Sequence, residues 1–337
     1  VEHVLSMSTG MRTISSFEGN WIVNFLNNPI VDRPGTAFFY NSVGSTLLGE
    51  IVRRKTGENL DEFLVNHLYE RIGIDPEKMK WVKLRDGLAI GGSGLYSTLY
   101  NNTKLGLLYM NHGQWNGEQI ISREFCEKGS KKRVDNSAAD GIPSDGHMGY
   151  GYQMWMGLHK DTYCMSGAWG QYTIMCPNED IVISFSGRTN DAVQASSDTL
   201  LGKFWNFLDE GIDKGTDQPE DTADLEKKLS DLSLPAEPYQ PYGNKKFFTG
   251  TYQIVDGEFD LDLTTGGIMQ KCFRTYPIDT FRLEFTEDTA VMKYHNILGD
   301  HILEAGLDGL PRLNHIVTPP FPCDKVYVSA CFERESL

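Results

Sequence analysis

Two hydrophobic textures divide this chain: helices mixed with short strands up to about Gly211, and short alternating strands beyond Tyr242. Up to about Gly211 apolar residues recur at helical spacing. Ser45 to Arg54 places Leu47, Leu48, Ile51 and Val52 on one face, and Gly57 follows as a stop. Asn59 to Arg71 repeats the design with Leu60, Phe63, Leu64 and Leu68 before Gly73, and Thr103 to Asn111 does so with Leu105, Leu107, Leu108 and Met110. A last helix is predicted over Ala192 to Leu208. Between these lie two predicted edge-sharing strands, Gly151 to Met156 and Tyr172 to Cys176, and the apolar run Ile181 to Phe185.

Beyond Tyr242 the period shortens to two. Strands are predicted at Phe247 to Val255, Glu258 to Leu263, Met269 to Phe273, Thr280 to Phe285, Ala290 to Tyr294, His301 to Glu304, Leu313 to Val317 and Lys325 to Phe332. Turns such as Val255-Asp256-Gly257-Glu258 punctuate them. Regular short strands without a helical period argue for a small barrel or sandwich. The two textures meet in an acidic, proline-containing stretch with a short predicted helix at Asp224 to Leu232. The expected organisation is therefore an α+β domain over 1–211, a linker over 212–242 and an all-β domain over 243–337. No internal repeat is present.

Charge and composition exclude several classes of function. With 337 residues and 40% hydrophobic content the chain can bury a sizeable core. Its net charge of −15 repels phosphate backbones and anionic membrane surfaces, so no nucleic-acid partner is expected. No run approaches the ~20 apolar residues of a membrane-spanning helix. The eight histidines show no paired metal-binding spacing, and the six cysteines include no C-x-x-C pair. Neither a metal nor a cofactor is expected, and the thiols read as free and mostly buried.

Three blocks stand out. In Pro34-Gly35-Thr36-Ala37-Phe38-Phe39-Tyr40-Asn41-Ser42-Val43-Gly44, a tyrosine follows two phenylalanines and directly precedes a helix, a setting that by itself suits a packed aromatic. Tyr163-Cys164-Met165-Ser166-Gly167-Ala168-Trp169-Gly170-Gln171-Tyr172, ending at Pro177, reads as a glycine-rich turn between two strands, with a Gly-Gln-Tyr and spaced proline that a plain turn does not explain. Gly91-Gly92-Ser93-Gly94-Leu95-Tyr96-Ser97-Thr98 reads as a structural turn, and Gly113 to Ile121 as a hairpin. Lys55-Thr56-Gly57 ends a helix and Lys214-Gly215-Thr216 lies in the linker, so neither is read as catalytic. Ser93 has no basic neighbour in sequence, and His147 reads as a loop residue.

In order and spacing these blocks resemble the β-lactamase-related serine hydrolases, which include class C β-lactamases, penicillin-binding proteins and esterases. Val4-Leu5-Ser6-Met7-Ser8-Thr9-Gly10-Met11 resembles the block that follows the nucleophile helix in that family. The resemblance implies a β-lactamase/transpeptidase-like antiparallel sheet flanked by helices, and Phe248-Thr249-Gly250-Thr251-Tyr252 resembles the start of an appended lipocalin-like domain. It implies Tyr40 as proton relay and the Ala168 N–H as an oxyanion donor. Asn41, Ser42, Met165, Ser166, Gly167, Trp169 and Gln171 would then contact substrate.

Two positions depart from the family pattern. Ser42 stands where an asparagine is usual, and Met165 stands where Lys, His or Trp is usual. A thioether donates no hydrogen bond and carries no charge, which weakens carboxylate recognition. The 337 residues also contain no Ser-x-x-Lys, the nucleophile and base of the family. The expectation is a truncated serine hydrolase that acts on an ester or amide, with the nucleophile upstream of residue 1. Exposed core would then be covered by a missing N-terminal segment or a second copy. The alternative is a catalytically inactive pseudoenzyme or peptide-binding module. A small-molecule or peptide substrate, and a periplasmic or extracellular location, follow from the resemblance alone.

Overall fold

The computed structural model describes all residues except 15, 18, 85, 138–144, 169, 188–199, 212–218, 233–244, 258–276, 317–324 and 331–337. The chain divides into two compact units, Val1–Gly215 and Thr216–Leu337.

The first unit opens with short helices α1 (Glu2–Leu5) and α2 (Trp21–Leu26), followed by the 15-residue α3 (Ser42–Thr56). Asn41 starts α3 by accepting from the Val43 and Gly44 N–H groups, and Gly57 ends it at φ 82°, a left-handed conformation that costs glycine little. The helix predicted over Asn59 to Arg71 is shorter than its hydrophobic period. It runs as α4 (Leu60–Leu64) and then relaxes into a wide π-helical turn over Val65–Tyr69 and a 3₁₀ turn over Glu70–Ile72. Two small ribbons, β1 (Lys80–Trp81) with β2 (Leu95–Tyr96) and β3 (Gln114–Trp115) with β4 (Glu118–Gln119), flank α5 (Leu99–Met110). Helix α6 (Arg123–Gly129) follows.

The main sheet is antiparallel, in the order β5 (Trp155–Met156), β6 (Tyr163–Gly167), β7 (Gln171–Cys176) and β8 (Ile181–Ser186). Its register places Cys164, Ile174 and Ile183 on one face. That face packs on Leu201, Phe204 and Trp205 of α7 (Leu200–Gly211). The other face, with Met165, Thr173, Met175 and Val182, packs on α5 and its neighbours. Helices on both sides of an antiparallel sheet give the mixed architecture read from the sequence.

The structure corrects the strand pairing. Gly151–Met156 and Tyr172–Cys176 do not share an edge, because β6 lies between them. Only Trp155 and Met156 of the first segment are strand, since Gln153 takes a left-handed φ of 57° that ends an extended run. The predicted helix over Ala192 to Leu208 lies outside the described residues up to position 199 and is α7 thereafter.

In the second unit α8 (Pro219–Ser230) precedes a four-stranded antiparallel sheet. Its strands are β9 (Gly250–Gln253), β10 (Thr280–Phe285), β11 (Thr289–Asn296) and β12 (Gly299–Gly306). Ile278, Met292 and Tyr294 form its small core with Phe281, Leu283 and Leu303. A separate pair joins β13 (Arg312–His315) to β14 (Lys325–Val328). The strands predicted at Glu258 to Leu263 and Met269 to Phe273 lie outside the described residues. Among the described residues, no helix is long and apolar enough to cross a membrane.

Helix α5 meets the sheet through Gly106. A Cβ there would stand 2.7 Å from Val182 Cγ1 and 2.8 Å from Thr173 Cγ2. Gly106→Ala gains about 1 kcal/mol in helix propensity but overpacks the interface at a cost of about 1–3 kcal/mol. A lower urea midpoint with an unchanged m value is the expected outcome, measured by circular dichroism.

Candidate active site

The segment around Tyr40 is held from below by the residues that open the chain. Met7 sits at φ 53° with its side chain buried. Its carbonyl accepts the Phe39 N–H at 2.8 Å and its Sδ accepts the Asn41 N–H at 3.2 Å. The Ser8 carbonyl accepts from Gly35 N–H at 2.7 Å, and the Gly10 carbonyl accepts from the Val31 and Asp32 N–H groups. A Cβ on Gly10 would lie 2.2 Å from the Asp32 carbonyl, so this approach requires glycine. The block Val4–Met11 is thus the cradle for residues 31–41.

Three aromatic side chains fix the Tyr40 ring. It stacks on Trp155 at 5.5 Å and 25° and meets Tyr150 edge-on at 6.4 Å, while Phe38 packs against both partners. The ring is nonetheless 41% exposed. Desolvation by these neighbours pushes the Tyr40 phenol above its ordinary value, and a hydrogen bond with the Ser42 side chain pulls the other way. No cation contributes among the described residues. A phenol in this setting is protonated at neutral pH and can donate a proton, whereas acting as base requires a cation brought to it.

The remaining residues around this tyrosine are close and small. Asn41 is buried beneath the start of α3, with its Oδ1 engaged by two N–H groups and its Nδ2 donating to the Thr13 carbonyl at 3.4 Å. Ser42 stands above it, half-buried. Gly91 and Gly92 press on the first turns of α3, where Cβ atoms would meet the Ser45 carbonyl at 2.4 Å and the Ser42 carbonyl at 2.5 Å. Ser93 follows in an exposed turn, its carbonyl accepting from Trp81 Nε1 at 3.2 Å. His147 lies half-buried.

The second group of candidates lies on the β6–β7 hairpin. Met165 pairs with Thr173, Ser166 with Tyr172 and Gly167 with Gln171. Ala168 is exposed at the turn and its carbonyl accepts from Gln171 Nε2 at 3.3 Å. Trp169 lies outside the described residues. Gly170, at φ 91°, closes the hairpin and its carbonyl accepts from Gly187 N–H at 2.9 Å.

The structure therefore gathers Tyr40 with Ser42, and gathers Met165, Ser166, Gly167, Ala168 and Gln171 on one hairpin. Trp155 links the groups, stacking on Tyr40 and pairing with Cys164 of β6. The same register puts Met165 on the opposite face of the sheet from Cys164. Sequence reasoning missed Trp155, Tyr150 and Gln153. Their signal was the aromatic run Tyr150-Gly151-Tyr152-Gln153-Met154-Trp155, which reads as a plain strand. Burial pushes the thiols of Cys164 and Cys176 up to about 12 and that of Cys126 to about 11, so these three are protonated and poor nucleophiles at neutral pH. Among the described residues no group of three or more His, Cys, Asp or Glu is placed to hold a metal ion.

The sequence model of the family described as Beta-lactamase matches residues 1–200 of the 337. The chain belongs to the beta-lactamase family. A search of curated proteins gives no match. Among solved structures, this beta-lactamase family member is similar to a candidate 6-aminohexanoate-dimer hydrolase from Bacillus anthracis, with 19% identity and a TM-score of 0.48 over 67% of this chain and 61% of that one. It is also similar to the octameric penicillin-binding protein homologue from Pyrococcus abyssi, with 16% identity and a TM-score of 0.45 over 96% and 72% of the two chains. The unliganded simvastatin synthase from Aspergillus terreus gives 14% identity and a TM-score of 0.42 over 56% and 62%. The chain spans about three-fifths of the length of the first of these, 61%.

The Tyr40 phenol should titrate above the free-tyrosine value of about 10, and Ser42→Ala should raise its midpoint further by removing the hydrogen bond that favours phenolate. Ultraviolet difference titration of the parent against Tyr40→Phe isolates the group. A midpoint below that value would mean that a cation reaches the phenol.

Proposed function

We propose that the protein containing this chain is a metal-free serine hydrolase that cleaves an ester or amide through an acyl-enzyme. The observation that carries this reading is Tyr40, held half-exposed just before the cap of α3 at the position where the family motif puts its proton-relaying phenol. In this reading Tyr40 passes a proton between nucleophile and leaving group, and the Ala168 N–H donates to the developing oxyanion. Ser42, Ser166, Gly167, Trp169 and Gln171 contact the substrate, and Asn41 holds the start of α3, with Ser42, as its cap. Met165 supplies neither charge nor a hydrogen-bond donor, which favours a substrate without an essential carboxylate at that position.

The 337 residues contain no Ser-x-x-Lys. The reading therefore takes nucleophile and base from a segment outside them, upstream of Val1. Ile14, Val23, Leu26, Ile30 and Val31 are exposed, and they form the surface that such a segment, or a second copy, would cover. Residues 243–337 are taken as an appended all-β domain of lipocalin-like type.

Fluorophosphonate labelling read by intact mass tests the proposal, on this chain and on the same chain extended upstream in its native reading frame. The extended form should gain one label, Tyr40→Phe should slow that labelling by about 10²–10⁴, and the chain by itself should stay unlabelled. Labelling of the short chain would assign the nucleophile to a residue within it, such as Ser42 or Ser93. Absence of labelling in both forms would favour a binding module that has lost its chemistry, in line with the departures at Ser42 and Met165.

A further inference from the structure

Gln153 occupies a conformation that a side chain other than glycine adopts at a cost, with φ at 57°. Its hydrogen bonds show what holds it there. The backbone N–H and Nε2 both donate to the Leu5 carbonyl at 3.0 Å, and Nε2 also reaches the Val4 carbonyl at 3.5 Å. Leu5 ends α1, so its carbonyl is one that the helix itself leaves open, while the Val4 carbonyl also accepts from the Met7 N–H. On its other side Oε1 accepts from the Ser45 hydroxyl at 2.7 Å, and Ser45 is buried in the second turn of α3.

The three segments that Gln153 ties together are those that grip Tyr40. The first continues from Leu5 to Met7, whose carbonyl and sulfur hold Phe39 and Asn41 on either side of the tyrosine. The second is the start of α3, capped by Asn41. The third is Gln153's own segment, which carries Tyr150 three residues before it and Trp155 two residues after, the edge-on and stacked partners of the Tyr40 ring. An extended Gln153 would carry these two rings off along a strand.

We propose that Gln153 is a positioning residue for Tyr40: its left-handed backbone and its bonds to Leu5 and Ser45 set the Tyr150–Trp155 cradle against the phenol. The inference deepens the hydrolase reading, in which that phenol relays the proton. Gln153 acts through Tyr40 and does not itself meet the substrate.

Two variants separate positioning from general support. Gln153→Gly adopts the same backbone without strain and loses the side-chain bonds, whereas Gln153→Leu keeps comparable bulk and the strain and loses the same side-chain bonds; both keep the backbone bond to Leu5. In both, the upward displacement of the Tyr40 titration from about 10 should shrink by more than half, and the near-ultraviolet circular dichroism of the Tyr40–Trp155 stack should weaken. Gly106→Ala, which destabilises the opposite side of the sheet, should leave both signals unchanged. In the upstream-extended form, Gln153→Gly should slow fluorophosphonate labelling at least tenfold. A parent-like Tyr40 titration in Gln153→Gly would overturn the proposal, and if Gln153→Leu does not fold the glycine variant alone decides. The titration needs no nucleophile, so a shifted Tyr40 in an extended protein that never labels would sink the hydrolase reading and leave the positioning role standing.

Discussion

One buried asparagine side chain sets the geometry on which the candidate site depends. Asn41 caps α3 through its oxygen, reaches the Thr13 carbonyl through its nitrogen and donates its backbone N–H to the Met7 sulfur. An N-cap of this kind is worth about 1 kcal/mol by itself. Its larger effect is on position, because the cap residue leaves the helix with an extended backbone, φ −146° and ψ 99°, and the residue before it is Tyr40. The helix start and the Trp155 stack together fix where the half-exposed phenol lies.

The cap also explains the order of residues in the motif. The family pattern has an asparagine two positions after the tyrosine, and here the asparagine is adjacent and serine follows. In this structure the adjacent position is the N-cap and the next is the first helical residue. Asparagine and serine both cap well, so the choice of cap does not force the exchange. What the exchange changes is the group beside the phenol: a hydroxyl bonded to Tyr40 replaces an amide. A hydroxyl can donate to phenolate and accept from phenol by rotating, which suits a proton in transit. It has one O–H donor to offer where an amide side chain has two N–H donors.

Local pattern made α3 and α5 legible from sequence, since apolar residues at helical spacing and the Gly57 stop mark a buried face and an end. The strands β8 and β10 were legible as apolar or alternating runs. Pairing was not. β6 reads as a glycine-rich motif, yet the turn at Ala168 to Gly170 folds it directly onto β7, and the nearer neighbour in sequence takes the edge. Of the site, Tyr40 was visible because its flanking residues are unusual in type. Its cradle was hidden, because Gln153 has nothing in its composition that announces a left-handed backbone, and the carbonyls it satisfies belong to residues 148 positions or more away.

Met165 belongs to a different environment from Tyr40. Met154, Met156 and Met175 form a buried cluster with Tyr163, and Met110, Met148 and Met165 pack against it. Six of the 11 methionines therefore gather on the α5 side of the sheet. Unbranched thioethers fill irregular space and rearrange at little cost, so this face can deform where a cation on a strand would need fixed partners. Burial of polar groups against such a surface is penalised unless they are hydrogen-bonded. A Lys at position 165 would set an ammonium beside this sulfur-rich cluster. The thioether at position 165 thus matches the side chains it packs against on this face of the sheet, and its replacement would be felt by several of them together.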